Sequence, residues 1–371
     1  MMSGEAGDAP GLDPAIDRAP LARARWGRRS SDSRGASVSG DRGGATYAAL
    51  DLGTNNCRLL IARPSGDSFR VVDAFSRIVR LGEGVSLSGR LSEAAMERAL
   101  GALAVCRSKM KNRGVTRARL IATEACRAAT NGADFHARVA GELGLDLEVI
   151  DRETEAALAA TGCTPLIDPQ SDGVVLFDIG GGSSELVRLD RPQRTRRGPP
   201  LPRIRGWISL PTGVVTLAER HGGISVTRET YEAMTAEVAE LIAPFVREHG
   251  GALPGLHMLG TSGTVTTIAG VHLDLRRYDR SRVDGCWMSA EEIDGVVDRL
   301  LAMTYEERVA SPCIGAERAD LVLAGCAILE AIRRAFPCPR LRVADRGLRE
   351  GMLVKMMRED GVWGGEQASM T

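Results

Sequence analysis

A mixed-sheet α/β fold built twice over is the architecture predicted for this chain of 371 residues, and three observations carry the prediction. An apolar run with a strand's composition ends in Asp-x-Gly at 47–56 (YAALDLGTNN) and again at 174–185 (VVLFDIGGGSSE). The two acids, Asp51 and Asp178, stand 127 residues apart, which is room for one compact α/β unit between them. Behind each run come further strand-like segments, then helices alternating with strands. The length suits two units of ordinary size. A hydrophobic content of 43% with 26% charged residues belongs to a soluble globular chain, and 4% aromatics leave the cores to Leu, Val, Ile and Ala.

Residues 1–44 lack a hydrophobic period and are rich in Gly, Ala, Ser, Asp and Arg, so a disordered tail is expected. The first unit, 45–153, reads as strands at 46–51, 58–63 and 69–75, a helix over 92–112, a strand at 118–123, a helix over 132–143 and a strand at 147–150. Asn131 suits the N-cap of the second helix and Gly144 its C-terminal stop. The second unit, 154–344, repeats the order: strands at 173–178, 184–189 and 204–210, a helix over 227–249, a strand at 256–260 and a helix over 263–271. A helical stretch, 290–336, carries two turn signals and reads as several packed helices. A strand at 341–344 and a helix over 347–358 follow, and the segment 345–371 is expected to rejoin the first unit.

Five segments carry chemistry. In DLGTNNCR, Gly53 permits a tight bend, Thr54, Asn55 and Asn56 offer hydrogen bonds, and Arg58 can pair with phosphate oxygens. In DIGGGSSE, Gly180, Gly181 and Gly182 carry an entropic penalty tolerated where backbone must approach a ligand closely; Ser183 and Ser184 add hydroxyls. A dinucleotide fingerprint fails there, because Glu185 holds the third glycine position. Gly260, Thr261, Ser262 and Gly263 open a helix after an apolar strand, a setting suited to an anion or nucleotide. Asp151-Arg-Glu-Thr-Glu155 also starts a helix; Glu153 and Glu155 do not share a face, so at most one reaches a site. Glu124, in TEACR, reads as a surface acid, and Arg127 as a phosphate ligand. Seven arginines between 188 and 205 read as a solvated hairpin tip that could widen a positive surface.

Exclusions narrow the field. The chain has no Gly-Lys dipeptide and hence no Walker A loop, no HExxH, no GxSxG and no His-Asp dipeptide. Its eight cysteines show no metal-ligand spacing and read as reduced thiols. No apolar run approaches membrane-spanning length, and the start has no signal-peptide hydrophobic region, so a cytoplasmic location is expected. A formal net charge of zero names no polyanionic partner such as nucleic acid.

Taken in order, DLGTNNCRLL, VRLGEGV, ATEACR, ETEA, FDIGGGSSELV, SLPTGVVTLAE, GTSGTVTTIAGV and GLREGML resemble the exopolyphosphatase/guanosine pentaphosphate phosphatase (Ppx/GppA) family of the actin–hexokinase–chaperone ATPase superfamily. The resemblance runs from about residue 47 to 353. It implies two ribonuclease-H-like, actin-like ATPase domains with mixed five-stranded sheets flanked by helices and the active site in the interdomain cleft. It further implies that Glu155 activates water and that Mg2+ is organised by Asp178, Glu185 and Asp51. The two glycine turns, Arg58 and Arg127 would then hold phosphates. Asn56 stands where the family usually has Ser. Polyphosphate or guanosine pentaphosphate is the implied substrate, and a homodimer is one assembly to expect. A sugar or acid kinase and a nucleotide-sensing actin relative are the competing readings on the same fold.

Overall fold

The computed structural model describes residues 44–250 and 255–364. All but Gly44 of the expected tail, and residues 365–371 at the other end, lie outside the described residues. Eleven strands and thirteen α-helices fall into two α/β units among the described residues.

The first unit runs β1 (Tyr47–Leu52), β2 (Asn56–Ser65), β3 (Ser68–Ile78), α1 (Val85–Ser88), α2 (Glu93–Asn112), β4 (Arg117–Ala122), α3 (Glu124–Ala128), α4 (Gly132–Leu143) and β5 (Glu148–Val149). Its sheet has the order β3-β2-β1-β4-β5, antiparallel through the hairpins and parallel from β1 to β4. Helix α5 (Arg152–Cys163) leads to β6 (Gly173–Ile179), β7 (Ser184–Gln193), β8 (Leu201–Leu210), α6 (Val214–His221), α7 (Arg228–His249), β9 (Leu256–Thr261) and α8 (Ser262–His272). Then come α9 (Arg280–Val283), β10 (Trp287–Ser289), α10 (Ala290–Ala302), α11 (Tyr305–Ala310), α12 (Val322–Ala335), β11 (Arg340–Ala344) and α13 (Leu348–Glu359). The second sheet is six-stranded rather than five-stranded, β10-β11-β9-β6-β7-β8, because the three residues of β10 add an antiparallel edge to β11.

Both sheets are covered on both faces, which is why their central strands read as continuous apolar runs. Along β1 and β2, Leu50, Leu52, Leu59 and Ile61 face α2 and α4, while Tyr47, Ala49, Leu60 and Ala62 face α13 and α5. In the second sheet Val175, Phe177 and Leu186 face the core of α7, α8 and α12, and Val174, Leu176 and Val187 face Ala156, Ala160 and Cys163 of α5. Helices α5 and α13 therefore form the layer between the sheets. The Tyr47 hydroxyl donates to Asp360 just past α13, at 3.0 Å.

One local expectation changes. Gly144 does end α4 in the left-handed region (φ 61°), but the Asn131 side chain does not cap that helix. It instead accepts from Leu91 N–H and donates to Leu91 O, at 2.8 and 3.0 Å, tying α4 to the start of α2. The stretch 290–336 resolves into α10, α11 and α12. No helix among the described residues is long and apolar enough to cross a membrane, and all eight cysteines are free.

Candidate active site

Hairpin register sets the chemistry. Asp51 on β1 pairs with Arg58 on β2, and at the equivalent place in the second unit Asp178 on β6 pairs with Glu185 on β7. Cross-strand partners share a face of the sheet, so each hairpin presents two ionic side chains together. The first presents opposite charges and the second presents two carboxylates.

The turns between those strands are held by their carbonyls. Thr54 O accepts from Gly82 N–H, and Asn55 O accepts from Val79 and Arg80 N–H, all at 2.9–3.0 Å. Gly180 O and Gly181 O accept from Val214 and Val215 at the start of α6, at 2.9 and 2.8 Å. A trans peptide sets its N–H opposite its C=O, and no peptide among the described residues is cis. The N–H groups of Asn55, Asn56, Gly181 and Gly182 thus point away from those donors, where these residues line a cleft of about 850 Å³ between the units. The two turns also abut. A β-carbon on Gly181 would lie 3.0 Å from Thr54 Cβ, and one on Gly182 would lie 2.8 Å from Thr54 Oγ1. Arg80 reaches across with a bidentate pair to Asp320 at 2.9 and 3.0 Å, and Glu219 of α6 accepts from Gly84 N–H at 2.8 Å.

Asp51, Glu155, Asp178 and Glu185 are among the carboxylates that line the cleft, and each acts on others of the group. Burial, opposed by Arg127, pushes Glu155 up to about 7. Burial, opposed by Arg58, pushes Asp178 up to about 6, and the Asp51 charge adds to the rise. Burial likewise raises Asp51, and it raises Glu185 well above the carboxylate range, with Glu155 and Asp178 contributing repulsion. These acids hold protons when folded that they release near pH 4 when unfolded, so their penalty is absent below that pH and grows as pH rises through 7. His257, lowered by burial, acts in the opposite sense below 6.5 but is a single group. The melting temperature is therefore expected to fall from pH 5 to pH 8, which thermal melts across that range will check.

Facing the acids are Arg58, Arg318 and Arg349, all on the cleft wall. Burial, with repulsion from Arg58 added, lowers the pKa of both Arg318 and Arg349. Three crowded guanidinium groups are a prepared site for a polyanion.

Ser262, the first residue of α8, has φ of +82°, and its hydroxyl works against the rise that burial gives Asp178. Left-handed backbone at a non-glycine residue costs about 1–3 kcal/mol and persists where the surroundings demand it. Ser262→Gly is expected to raise the melting temperature by relieving strain while slowing turnover. Ser262→Ala keeps the strain and should leave the melting temperature close to that of wild type. Paired thermal melts distinguish the two.

Most residues singled out from sequence line this cleft, namely both turns through Ser183, Arg58, Glu155, Asp178, Glu185, Thr261 and Ser262, while exposed Glu153 points elsewhere. Four do not. Arg127 is no free phosphate ligand: its guanidinium donates to Glu124, Glu155 and Ile150 O. Ser184 is fully buried and donates to Thr212 O at 2.7 Å. Gly260 packs in the core against the Phe177 ring, and Gly263 lies under Arg318. Glu124, read as a surface acid, is 9% exposed and lines the cleft. No group of three or more His, Cys, Asp or Glu is disposed to hold a cation among the described residues. The arginine hairpin is remote: β7 runs ten residues away from the glycine turn, about 30 Å at strand rise.

Arg318 and Arg349 were missed. Arg349 lies within GLREGML, a string that signalled resemblance without showing which side chain faces the site.

A sequence model of the Ppx/GppA phosphatase family matches residues 60–360. Among solved structures, the Aquifex aeolicus Ppx/GppA family member is 29% identical with a TM-score of 0.70, covering 85% of this chain and 98% of its own. An exopolyphosphatase-like protein is 30% identical with a TM-score of 0.74, covering 84% and 97%. An exopolyphosphatase from Cytophaga hutchinsonii, 24% identical with a TM-score of 0.75 over 84% and 97%, shares the fold. With two duplicated α/β units, facing Asp-x-Gly turns and a match over most of its length, the chain belongs to the Ppx/GppA phosphatase family.

Proposed function

We propose that the chain hydrolyses the terminal phosphoanhydride of inorganic polyphosphate, releasing orthophosphate, with Glu155 activating the attacking water. The observation that supports this most is Glu155 itself: a largely buried carboxylate raised to about 7, on the wall of a cleft lined by two N–H-bearing turns and by arginines that include Arg58, Arg318 and Arg349. A base poised near operating pH suits general-base catalysis. Water attacks the terminal phosphorus as its proton passes to Glu155. The bond to the bridging oxygen breaks, and the chain departs one phosphate shorter with the negative charge on that oxygen. The turn N–H groups and Arg58, Arg318 and Arg349 hold the phosphoryl oxygens and spread the developing charge.

Asp178 and Glu185, paired across β6 and β7, are hard oxygen donors, and Asn55 Oδ1 and Asn56 Oδ1 are buried with no hydrogen-bond partner. That set suits Mg2+, which takes one or two carboxylates and completes its shell with water and phosphate. Mg2+ held there would neutralise charge on the phosphoryl oxygens.

One feature favours guanosine pentaphosphate instead. Tyr278 on the cleft wall is 42% exposed, a ring on which guanine can stack. Incubation with Mg2+ and polyphosphate, guanosine pentaphosphate, or ATP with sugars decides the matter. Orthophosphate from the first without an acceptor is expected. Release from the second alone would move the assignment to the nucleotide, and ATP turnover only with an acceptor would overturn hydrolysis.

A further inference from the structure

The cation beside the proposed base is not its alone. Arg127 Nη2 donates to Glu155 Oε2 at 2.7 Å and also to Glu124 Oε2 at 2.8 Å. Its Nε reaches the same Glu124 oxygen at 3.1 Å, and its Nη1 is fixed on Ile150 O at 2.7 Å. Glu124 in turn carries a second cation: Arg152 donates to its Oε1 at 2.7 Å and its Oε2 at 3.2 Å. The result is a chain of alternating charge, Arg152–Glu124–Arg127–Glu155, running from the surface, where the Arg152 side chain is 42% exposed, to the buried end. Glu124 also touches the opposite turn, since a β-carbon on Gly182 would lie 3.2 Å from its Cγ.

We infer that Glu124 is a positioning residue for the hydrolytic step: it aims Arg127 at Glu155 and divides the guanidinium charge between the two acids, with Arg152 as its own counter-ion. The inference rests on Glu155 being the water-activating base. Without Glu124, Arg127 would keep Ile150 O and Glu155 but lose the bonds that fix its Nε edge, so its aim at Glu155 would loosen. With Glu124, the arginine orients the base but does not neutralise it fully, so Glu155 stays basic enough to take a proton. The other groups facing Glu155 are Asp51 from β1, Asp178 from β6 and Glu185 from β7, all acids that favour its protonated form. On its own helix, Asp151 and Glu153 are exposed, and on α13 Glu350 pairs with Arg280.

Charge sharing predicts opposite shifts from two conservative changes. Glu124→Gln keeps a side-chain oxygen for Arg127 but removes the competing charge, so Glu155 keeps the whole cation and ionises more readily. The acid limb of kcat/KM should move down by about one unit. Arg152→Gln strips Glu124 of its counter-ion and strengthens its pull on Arg127, so the acid limb should move up. KM at the pH optimum should change far less than kcat in both. The test is the pH profile of phosphate release by the full chain with Mg2+, comparing wild type, E124Q, R152Q and E155Q on whichever of polyphosphate and guanosine pentaphosphate is hydrolysed. Limbs that coincide with wild type, or move in the same direction, overturn the role of Glu124. Full turnover by E155Q overturns the assignment of the base instead, so the two failures are distinguishable. Should E124Q not fold, R152Q at its exposed position carries the test alone: an upward shift supports the inference and an unmoved limb ends it.

Discussion

Glu155→Gln is expected to leave the fold intact and to reduce kcat by roughly 10²–10⁴, about 3–5 kcal/mol of transition-state stabilisation, with KM little changed. Glutamine is close in shape to the protonated acid, and a group raised to about 7 already spends much of its time protonated at neutral pH. The variant keeps an oxygen for Arg127 and loses repulsion with Asp51 and Asp178. Its melting temperature at pH 8 should therefore equal or exceed that of wild type. Losing turnover without losing stability distinguishes a catalytic group from a structural one. Wild-type kcat/KM should in turn decline as pH falls below 7, because the free enzyme's base is then protonated. Stopped or continuous phosphate-release assays beside thermal melts measure both quantities. An E155Q enzyme that turns over at the wild-type rate would remove the base from the mechanism.

Local signals were legible and long-range pairings were not. The strand-Asp-x-Gly pattern placed both turns, because a continuous apolar run and glycine punctuation are written in a few consecutive residues. Acidic residues at the N-terminus of α5 likewise marked where Glu155 would lie. Besides its neighbour Glu124, Arg127 meets Glu155 and Ile150 from 28 and 23 residues away, and no local pattern says which distant acid an arginine will meet. Arg318 and Arg349 reach the cleft only through the packing of the segment before α12 and of α13. Helix α3 is five residues long and β10 three, too short for any period to build up. The arginine hairpin at 188–205 illustrates the converse: a conspicuous charge run whose remoteness from the cleft follows only from strand length and direction.

Helix α13 is where packing and catalysis meet, so its closest contact with α5 should be the position most sensitive to added volume. A β-carbon on Gly351 would run into Leu158 O, with Leu158 C at 2.8 Å; one on Gly162 would run into Gly347 O, with Gly351 N at 2.9 Å. The two helices thus cross backbone to backbone. Gly351→Ala gains helix propensity of about 1 kcal/mol. Against that, a methyl group needs about 3.5 Å from its neighbours, and peptide atoms have no rotamer by which to yield. Overpacking of this kind costs up to about 3 kcal/mol, so the clash outweighs the propensity gain and the melting temperature should drop by several degrees. Gly351 lies two residues from Arg349, and Leu158 three from Glu155, so parting the helices moves the proposed phosphate ligand relative to the proposed base. A misplacement of about 1 Å can cost about 10²-fold in rate, and kcat should fall accordingly even well below the melting temperature. Gly101→Ala is the matched control: it lies on the exposed face of α2 with nothing within 4 Å of an added β-carbon. That change should raise stability and leave kcat alone. Equal melting temperatures and rates for the two alanine variants would show that the α5–α13 crossing does not set the distance across the cleft.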